Sequence, residues 1–202
     1  MEFDQKLIAG KLHRWKKNMQ AYSLPDWDSI PDIGLYMVQV IEIMKQYLSY
    51  LPSDVKEEQY ITAATVNNYV RMKVMPAPEK KRYYRKHIAY LIIIMSLKHN
   101  MSIGLINKIL PITADDETVK ATYVKFVEMH KRAVETFIHT VELSASKLLD
   151  ADAPESPYVA QSTSELILGY TILSGFAKLM SEKLLLLDKS PSGKDSAAKK
   201  KG

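Results

Sequence analysis

Ala64, Asn67, Asn68 and Arg71 fall on one side of a helical wheel, with Ala63, Val66, Tyr69 and Val70 on the other. One helix face would then present a methyl, two amides and a guanidinium. Asn pairs with adenine through two hydrogen bonds, Arg does so with guanine, and a methyl packs on that of thymine. The stripe suits base edges in a major groove. It also suits plain solvation, since Asn and Arg are ordinary surface residues.

The residues after the stripe separate those readings. Arg71, Lys73, Lys80, Lys81, Arg82, Arg85 and Lys86 put seven cations in sixteen residues, against the single acid Glu79. A same-sign cluster repels itself unless an anion relieves it. Lysines and arginines on phosphates supply affinity without sequence preference, and the stripe before them would supply the preference. Asn67, Asn68 and Arg71 are the expected base readers, with Ala64 beside them. Lys80, Lys81, Arg82, Tyr84 and Arg85 are the expected phosphate ligands, flanked by Lys73 and Lys86. One ring of Tyr83 and Tyr84 can pack on the core while the other hydroxyl faces a phosphate.

The elements that must hold these residues can be read around them. Thr62 is placed to cap a short helix running to about Met72, and Pro76 and Pro78 stop it and stiffen the loop beyond. This gives a recognition helix over 62–72 and a basic wing over 76–86. An apolar helix comes next over 85–99, then a short one over 101–110 with Ser102 as its cap. Upstream, 2–20 reads as an amphipathic helix and 23–34 as a connector pinned by Trp27, Ile30 and Ile33. The stretch 35–48 is helical, with Leu35, Val38, Ile41 and Leu48 as its apolar line, and 49–60 is a polar connector.

Beyond Pro111 the pattern changes. Residues 115–149 form one long helix whose Tyr123, Val127, His130, Val134, Phe137, Val141, Ser144 and Leu148 recur at alternating spacings of four and three, a coiled-coil-like seam. "DADAPESP" interrupts it, and a second helix runs over 158–187 with Ser164, Gly169, Ser174, Gly175 and Ala177 permitting close approach. Two such helices cannot cover both apolar faces by pairing with each other, so the front half, a second copy, or both must contribute. The tail 189–202 is low in complexity and expected to be disordered.

The fold class expected is therefore all-α. A domain over 1–113, its motif core at 35–110, precedes a helical hairpin over 114–188 that serves as a dimerisation or effector region. Charge obeys the same division. Residues 1–110 carry 16 Lys and Arg against 10 Asp and Glu, and residues 111–188 carry 7 against 12. The whole chain has 202 residues, a net charge of +5 and no cysteine. The last point excludes disulfides, thiolate catalysis and cysteine-based zinc sites, and fits a reducing cytoplasm. The longest apolar run, "IAYLIIIMSL", is far below the roughly 20 residues of a bilayer span, so no membrane association is expected.

The segment "TVNNYVRMKVMPAPEKKRYYRKHIAYL" resembles the DNA-binding end of MerR-type regulators. Thr65, Val66, Tyr69, Pro76, Pro78, Arg82 and Tyr84 match that pattern. Asn67 and Asn68 stand where those regulators usually carry an Arg-Tyr pair. Over roughly residues 20–110, "LPDWDSIPDIGLYMVQV" and "ITAATVNNYVRMKVMPAPEKKRYYRKHIAYLIIIMSLK" resemble a small bacterial family known only as a domain of unknown function. The MerR-type resemblance implies a winged helix-turn-helix on double-stranded DNA, hence a transcriptional regulator. A homodimer through helices 115–149 and 158–187 would set two recognition helices on a pseudo-palindromic site.

Enzymatic chemistry finds no support. Glu135 and His139 share a helix face with Glu142 nearby, but no second ligand set accompanies them, and no phosphate-binding glycine loop or nucleophile motif occurs. No cofactor is expected. A small-molecule effector between the front half and the hairpin has room, without a residue cluster to identify it. The rival expectation is a protein-interaction module whose basic loop grips an acidic partner.

Overall fold

The computed structural model describes residues 5–49, 61–110, 112, 115–149, 160 and 162–186. The expected connector 49–60 beyond Ser49, Pro111, the break at 150–157 and the tail 189–202 lie outside them. The described chain is mainly helical. In order come α1 (Gln5–Ala21), a single 3-10 turn (Trp27–Ser29), α2 (Met37–Tyr47), α3 (Ala63–Arg71), α4 (Arg85–Leu97), α5 (Ile103–Ile109), α6 (Asp116–Ser144), α7 (Ser146–Leu149) and α8 (Thr163–Leu186).

The centre of the fold is α4. Every residue from His87 to Met95 is buried, and a helix apolar on all sides is stable only when neighbours cover every side. Here α2, α5 and α6 pack on it. Met44, Val40, Val66, Tyr69, Ile106 and Tyr123 close the same core. Burying one Ile or Leu is worth about 1.5–3 kcal/mol, so this run anchors the front half. The Tyr123 hydroxyl donates to the Pro25 carbonyl at 2.7 Å, fastening the connector to α6. Burial pushes the Tyr123 phenol well above its usual range.

Three helix starts form as their local chemistry dictates. The Thr62 hydroxyl accepts from the Thr65 amide, Ser102 from Leu105 and Asp115 from Thr118. Each side-chain oxygen satisfies an amide that the first turn leaves without a partner.

Several expectations are corrected. Leu35 does not begin a helix; it exchanges two 2.8 Å backbone hydrogen bonds with Tyr83 as an isolated antiparallel bridge. The buried line of α2 is Val40, Met44 and then Leu48, while Val38 is 79% exposed, because α4 meets the opposite side of the wheel. Ile33 does not pin the connector, being 67% exposed, and Leu24 is buried there beside Ile30. The 85–99 helix ends at Leu97, and the 115–149 helix breaks at Ala145. The 158–187 helix is seen from Thr163.

The seam on α6 is covered from within the chain. Trp15 of α1 meets Phe137 edge-on at 5.6 Å, Tyr22 meets His130 at 6.1 Å, and Lys16 pairs with Glu142. By contrast, α8 touches the rest through its first turns, with Leu166 buried beside Ala145 and Leu148 and Tyr170 against Phe137.

Candidate nucleic-acid interface

Helix α3 holds its stripe as the wheel requires. Val66 and Tyr69 are buried, Val70 is half-buried, and Ala64, Asn67 and Arg71 face outward with Asn68 half-exposed. Ala63, expected on the inner side, is exposed as well. The Arg71 guanidinium donates to Asn68 Oδ1 at 2.7 Å, and Asn68 Nδ2 donates to the Met72 sulfur at 3.4 Å. Among the described residues that leaves Asn67 without a side-chain partner and Arg71 with further donors to offer.

The helix ends on a left-handed residue. Lys73 has φ 54°, its amide donates to Val70 O, and the Val74 amide donates to Tyr69 O. This pair of bonds defines a Schellman cap, whose left-handed position normally takes glycine. Val74 and Tyr69 are both buried and supply its apolar contact.

The loop after α3 closes in a tight hairpin. Glu79 and Arg82 exchange backbone hydrogen bonds at 3.0 and 2.9 Å around Lys80 (φ 48°) and Lys81 (φ 64°). Positive φ at both central residues matches the twist of the flanking strands, and the usual occupants are Asn-Gly. Two lysines there cost about 1 kcal/mol each relative to glycine. Among the described residues, the non-glycine residues with positive φ are Lys73, Lys80 and Lys81. All three are exposed, and no described carboxylate pairs with them.

The other cations of the cluster turn inward. Arg82 donates to Gly34 O at 2.9 Å and lies 3.8 Å above the Tyr36 ring. The space beside Gly34 is tight: a Cβ would come within 3.1 Å of the Arg82 Cβ and 3.2 Å of the Tyr84 hydroxyl, so a side chain there would push on both. Arg85 donates through Nε to Ile30 O at 2.8 Å and approaches Asp28 at 3.4 Å. Lys86 bridges Glu79 at 3.1 Å and Asp116 at 3.3 Å, which holds its ammonium above the usual lysine range. Arg85 and Lys86 occupy the first turn of α4, where the helix dipole disfavours cations. Asp28, Glu79 and Asp116 offset that. These three carboxylates, with Asp32 and Glu117, surround a hollow of about 310 Å³ behind the hairpin.

His87 is the residue that sequence reasoning missed. It is fully buried, its Nδ1 accepts from the Tyr84 amide at 2.9 Å, and its Nε2 lies 3.0 Å from Ala77 O. Since an amide can only donate and a carbonyl only accept, the neutral Nε2–H tautomer satisfies both. Burial lowers its pKa below the ordinary histidine value. It ties the base of the hairpin to the start of α4. Tyr83 is the core tyrosine of the pair, and Tyr84 is half-buried.

A second region is a cleft of about 710 Å³ between the C-terminal end of α1, the connector and α6. Tyr22, Asp26, His130, Glu135, Ile138, His139 and Glu142 are among its walls. Burial lowers the His130 pKa. Glu135, His139 and Glu142 do not converge as a metal site, and among the described residues no group of three potential ligands does so. No described helix is long and apolar enough to cross a membrane.

No curated protein and no solved structure matches the chain. Residues 25–126, spanning the connector, α2 to α5 and the first part of α6, match the family described as domain of unknown function DUF1836, and the chain belongs to that family.

Proposed function

We propose that this DUF1836 protein is a DNA-binding transcriptional regulator, non-enzymatic and cytoplasmic, that engages duplex DNA in the manner of a MerR-like winged helix-turn-helix. The observation that carries this reading is the conjunction of an outward stripe on α3 with a rigid hairpin presenting Lys80 and Lys81. Strained backbone persists where its surroundings enforce it and tends to mark functional positions. Here all three left-handed positions carry lysine. The base readers are Ala64, Asn67, Asn68 and Arg71. The principal phosphate ligands are Lys73, Lys80 and Lys81, with Tyr84 and the outer edge of Arg82 beside them. Arg85 and Lys86, read from sequence as further phosphate contacts, act as positioning residues that set the wing angle. No cofactor enters the proposal.

Two copies related by a two-fold axis would present two α3 helices to a pseudo-palindromic site. The cleft between α1 and α6 joins the front and back halves, which suits a small effector of unspecified chemistry.

The test is fluorescence anisotropy against pooled genomic duplex fragments across a salt series, with the tail 189–202 removed so that its lysines add nothing. Tight, salt-steep binding of particular fragments is expected. Lys80→Ala/Lys81→Ala should reduce the slope of log K against log salt by about 1 per lost phosphate contact. Equal, feeble binding by both proteins would refute the reading.

One observation favours a second reading. Ile33, Tyr36 and Val38, all more than half exposed, form an apolar margin beside Arg82. That margin suits a protein partner whose acidic side meets Lys80 and Lys81. Removal of Asn67 and Arg71 distinguishes the two, since base readout alone predicts a sequence-dependent loss.

A further inference from the structure

We propose that α8 is an interface between two copies of this chain, paired antiparallel about a two-fold axis level with Ser174. Beyond Tyr170, every described side chain of α8 is exposed as far as Ser181. Ile167, Leu168, Ile172, Leu173, Phe176, Leu179 and Met180 are each 47–64% exposed. Six of these seven, Ile167 excepted, share one face with Gly175 and Gly169, spanning a little under half of the wheel. A helix of this composition is not stable bare in water, and an apolar face about 20 Å long is more than monomers ordinarily leave uncovered on one helix.

The glycines specify the occupant. A Cβ at Gly169 or Gly175 would meet nothing within 4 Å in the single chain, so neither is required by internal packing. Each costs the helix about 1 kcal/mol relative to alanine. In the antiparallel register, Gly169 faces Leu179 of the other copy and Gly175 faces its Leu173, while Ile172 meets Phe176 and Leu168 meets Met180. Every small position then receives a large one. Glu165 falls opposite position 183, which the sequence fills with lysine. A parallel pair would set Glu165 against Glu165 and glycine against glycine, joining like charges and leaving voids. A lipid surface is disfavoured because the polar side of α8 carries Thr171, Ser174, Ser181 and Glu182 with Lys178 as its cation, whereas helices that lie on membranes carry a cationic polar face.

The seam of α6, which α1 already covers, leaves α8 as the principal self-docking element. This sharpens the two-copy part of the function proposed above and stands apart from its DNA part.

Sedimentation equilibrium of the full chain is the first measurement, with Leu168→Glu/Ile172→Glu as the disrupting variant. A dimer with Kd below about 10 µM is expected, weakened at least about a hundredfold by the double substitution. Far-ultraviolet circular dichroism of the monomeric variant checks that the fold persists. The absence of cysteine permits a second measurement that puts no charge into the face. Ile172→Cys mixed with Phe176→Cys should form the mixed disulfide in air faster than either variant forms its own. Glu165→Cys should scarcely cross-link, because eighteen residues of helix, about 27 Å, separate the two copies of that position. A wild-type monomer at all concentrations, or rapid cross-linking through Glu165→Cys, would overturn the proposal. A dimer that ignores DNA sinks only the DNA reading, and a monomer that binds DNA sinks only this one.

Discussion

Two sets of cations lie within one short segment, and their geometry divides them. Arg82, Arg85 and Lys86 spend their donors on Gly34 O, Ile30 O, Asp28, Glu79 and Asp116. Lys73, Lys80 and Lys81 stand outward on left-handed backbone with no described carboxylate opposite them. The inward set stabilises the hairpin, and the hairpin holds Lys80 and Lys81, as the cap of α3 holds Lys73, in a conformation that lysine disfavours. Charge density alone says little about binding. A brace differs from a contact in where each donor ends, and the two sets should respond to substitution in opposite ways.

The largest effect should come from the inward set. Arg85→Ala removes a charged hydrogen bond to a buried carbonyl and leaves Ile30 O without that donor. A loss of about 2–3 kcal/mol in urea unfolding is expected. Lys80→Ala and Lys81→Ala should each change stability by less than about 0.5 kcal/mol, as ordinary surface substitutions do. An equal loss in both sets would erase the distinction.

Removing the His87 clamp comes next. His87→Phe keeps an aromatic ring, slightly larger, and deprives the Tyr84 amide and Ala77 carbonyl of their partner, at a cost of about 1–3 kcal/mol or more. The same residue gives the protein a pH signature. Its folded pKa lies below the unfolded value near 6.5, so the unfolded state takes up the proton first as pH falls. Stability is full above 6.5, declines as pH drops toward the folded pKa and levels off below it. His99 and His130, both lowered by burial, contribute in the same direction. Urea midpoints between pH 8 and 5 in wild type and His87→Phe would isolate its share. A wild-type curve no steeper than the variant's would refute the assignment.

How much of this was legible depends on the range over which each feature is decided. The caps at Thr62 and Ser102 could be read because a hydroxyl three residues before an amide is local chemistry. The stripe on α3 could be read because Val66 and Tyr69 fix the wheel within one short helix. The phase of α2 was misread because Val38 and Val40 are alike as residues, and only the approach of α4 decides which is buried. Which cations turn inward was not legible. Arg82 finds Gly34 across 48 residues and Arg85 finds Ile30 across 55. The hairpin turn was hidden for another reason. Turn chemistry predicts Asn-Gly at its tip, and Lys-Lys gives no signal of left-handed backbone.

The sharpest separation of the two sets uses that anomaly. Lys80→Asn/Lys81→Gly restores the residues such a turn prefers, so it should raise stability by about 1–2 kcal/mol. The same change removes two charges from the proposed phosphate face, so duplex affinity should fall and its salt dependence flatten. Stability and binding then move in opposite directions, which a merely structural loop would not produce. Gain in both, measured by urea unfolding and anisotropy, would return the lysines to plain solvation.

The smallest effect tests the same logic at the end of α3. Lys73 holds the left-handed position of the Schellman cap, where glycine fits without strain. Lys73→Gly should therefore stabilise by up to about 1 kcal/mol while keeping the bonds from residue 73 to Val70 O and from Val74 to Tyr69 O. Were Lys73 only a solvated residue, DNA affinity would be unchanged. As a phosphate contact just beyond the reading stripe, its loss should weaken all duplexes by a similar factor and leave the preference among them intact, because a phosphate contact carries no base information. A change of preference instead would place Lys73 among the base readers and move the boundary between reading and anchoring to the far side of the cap.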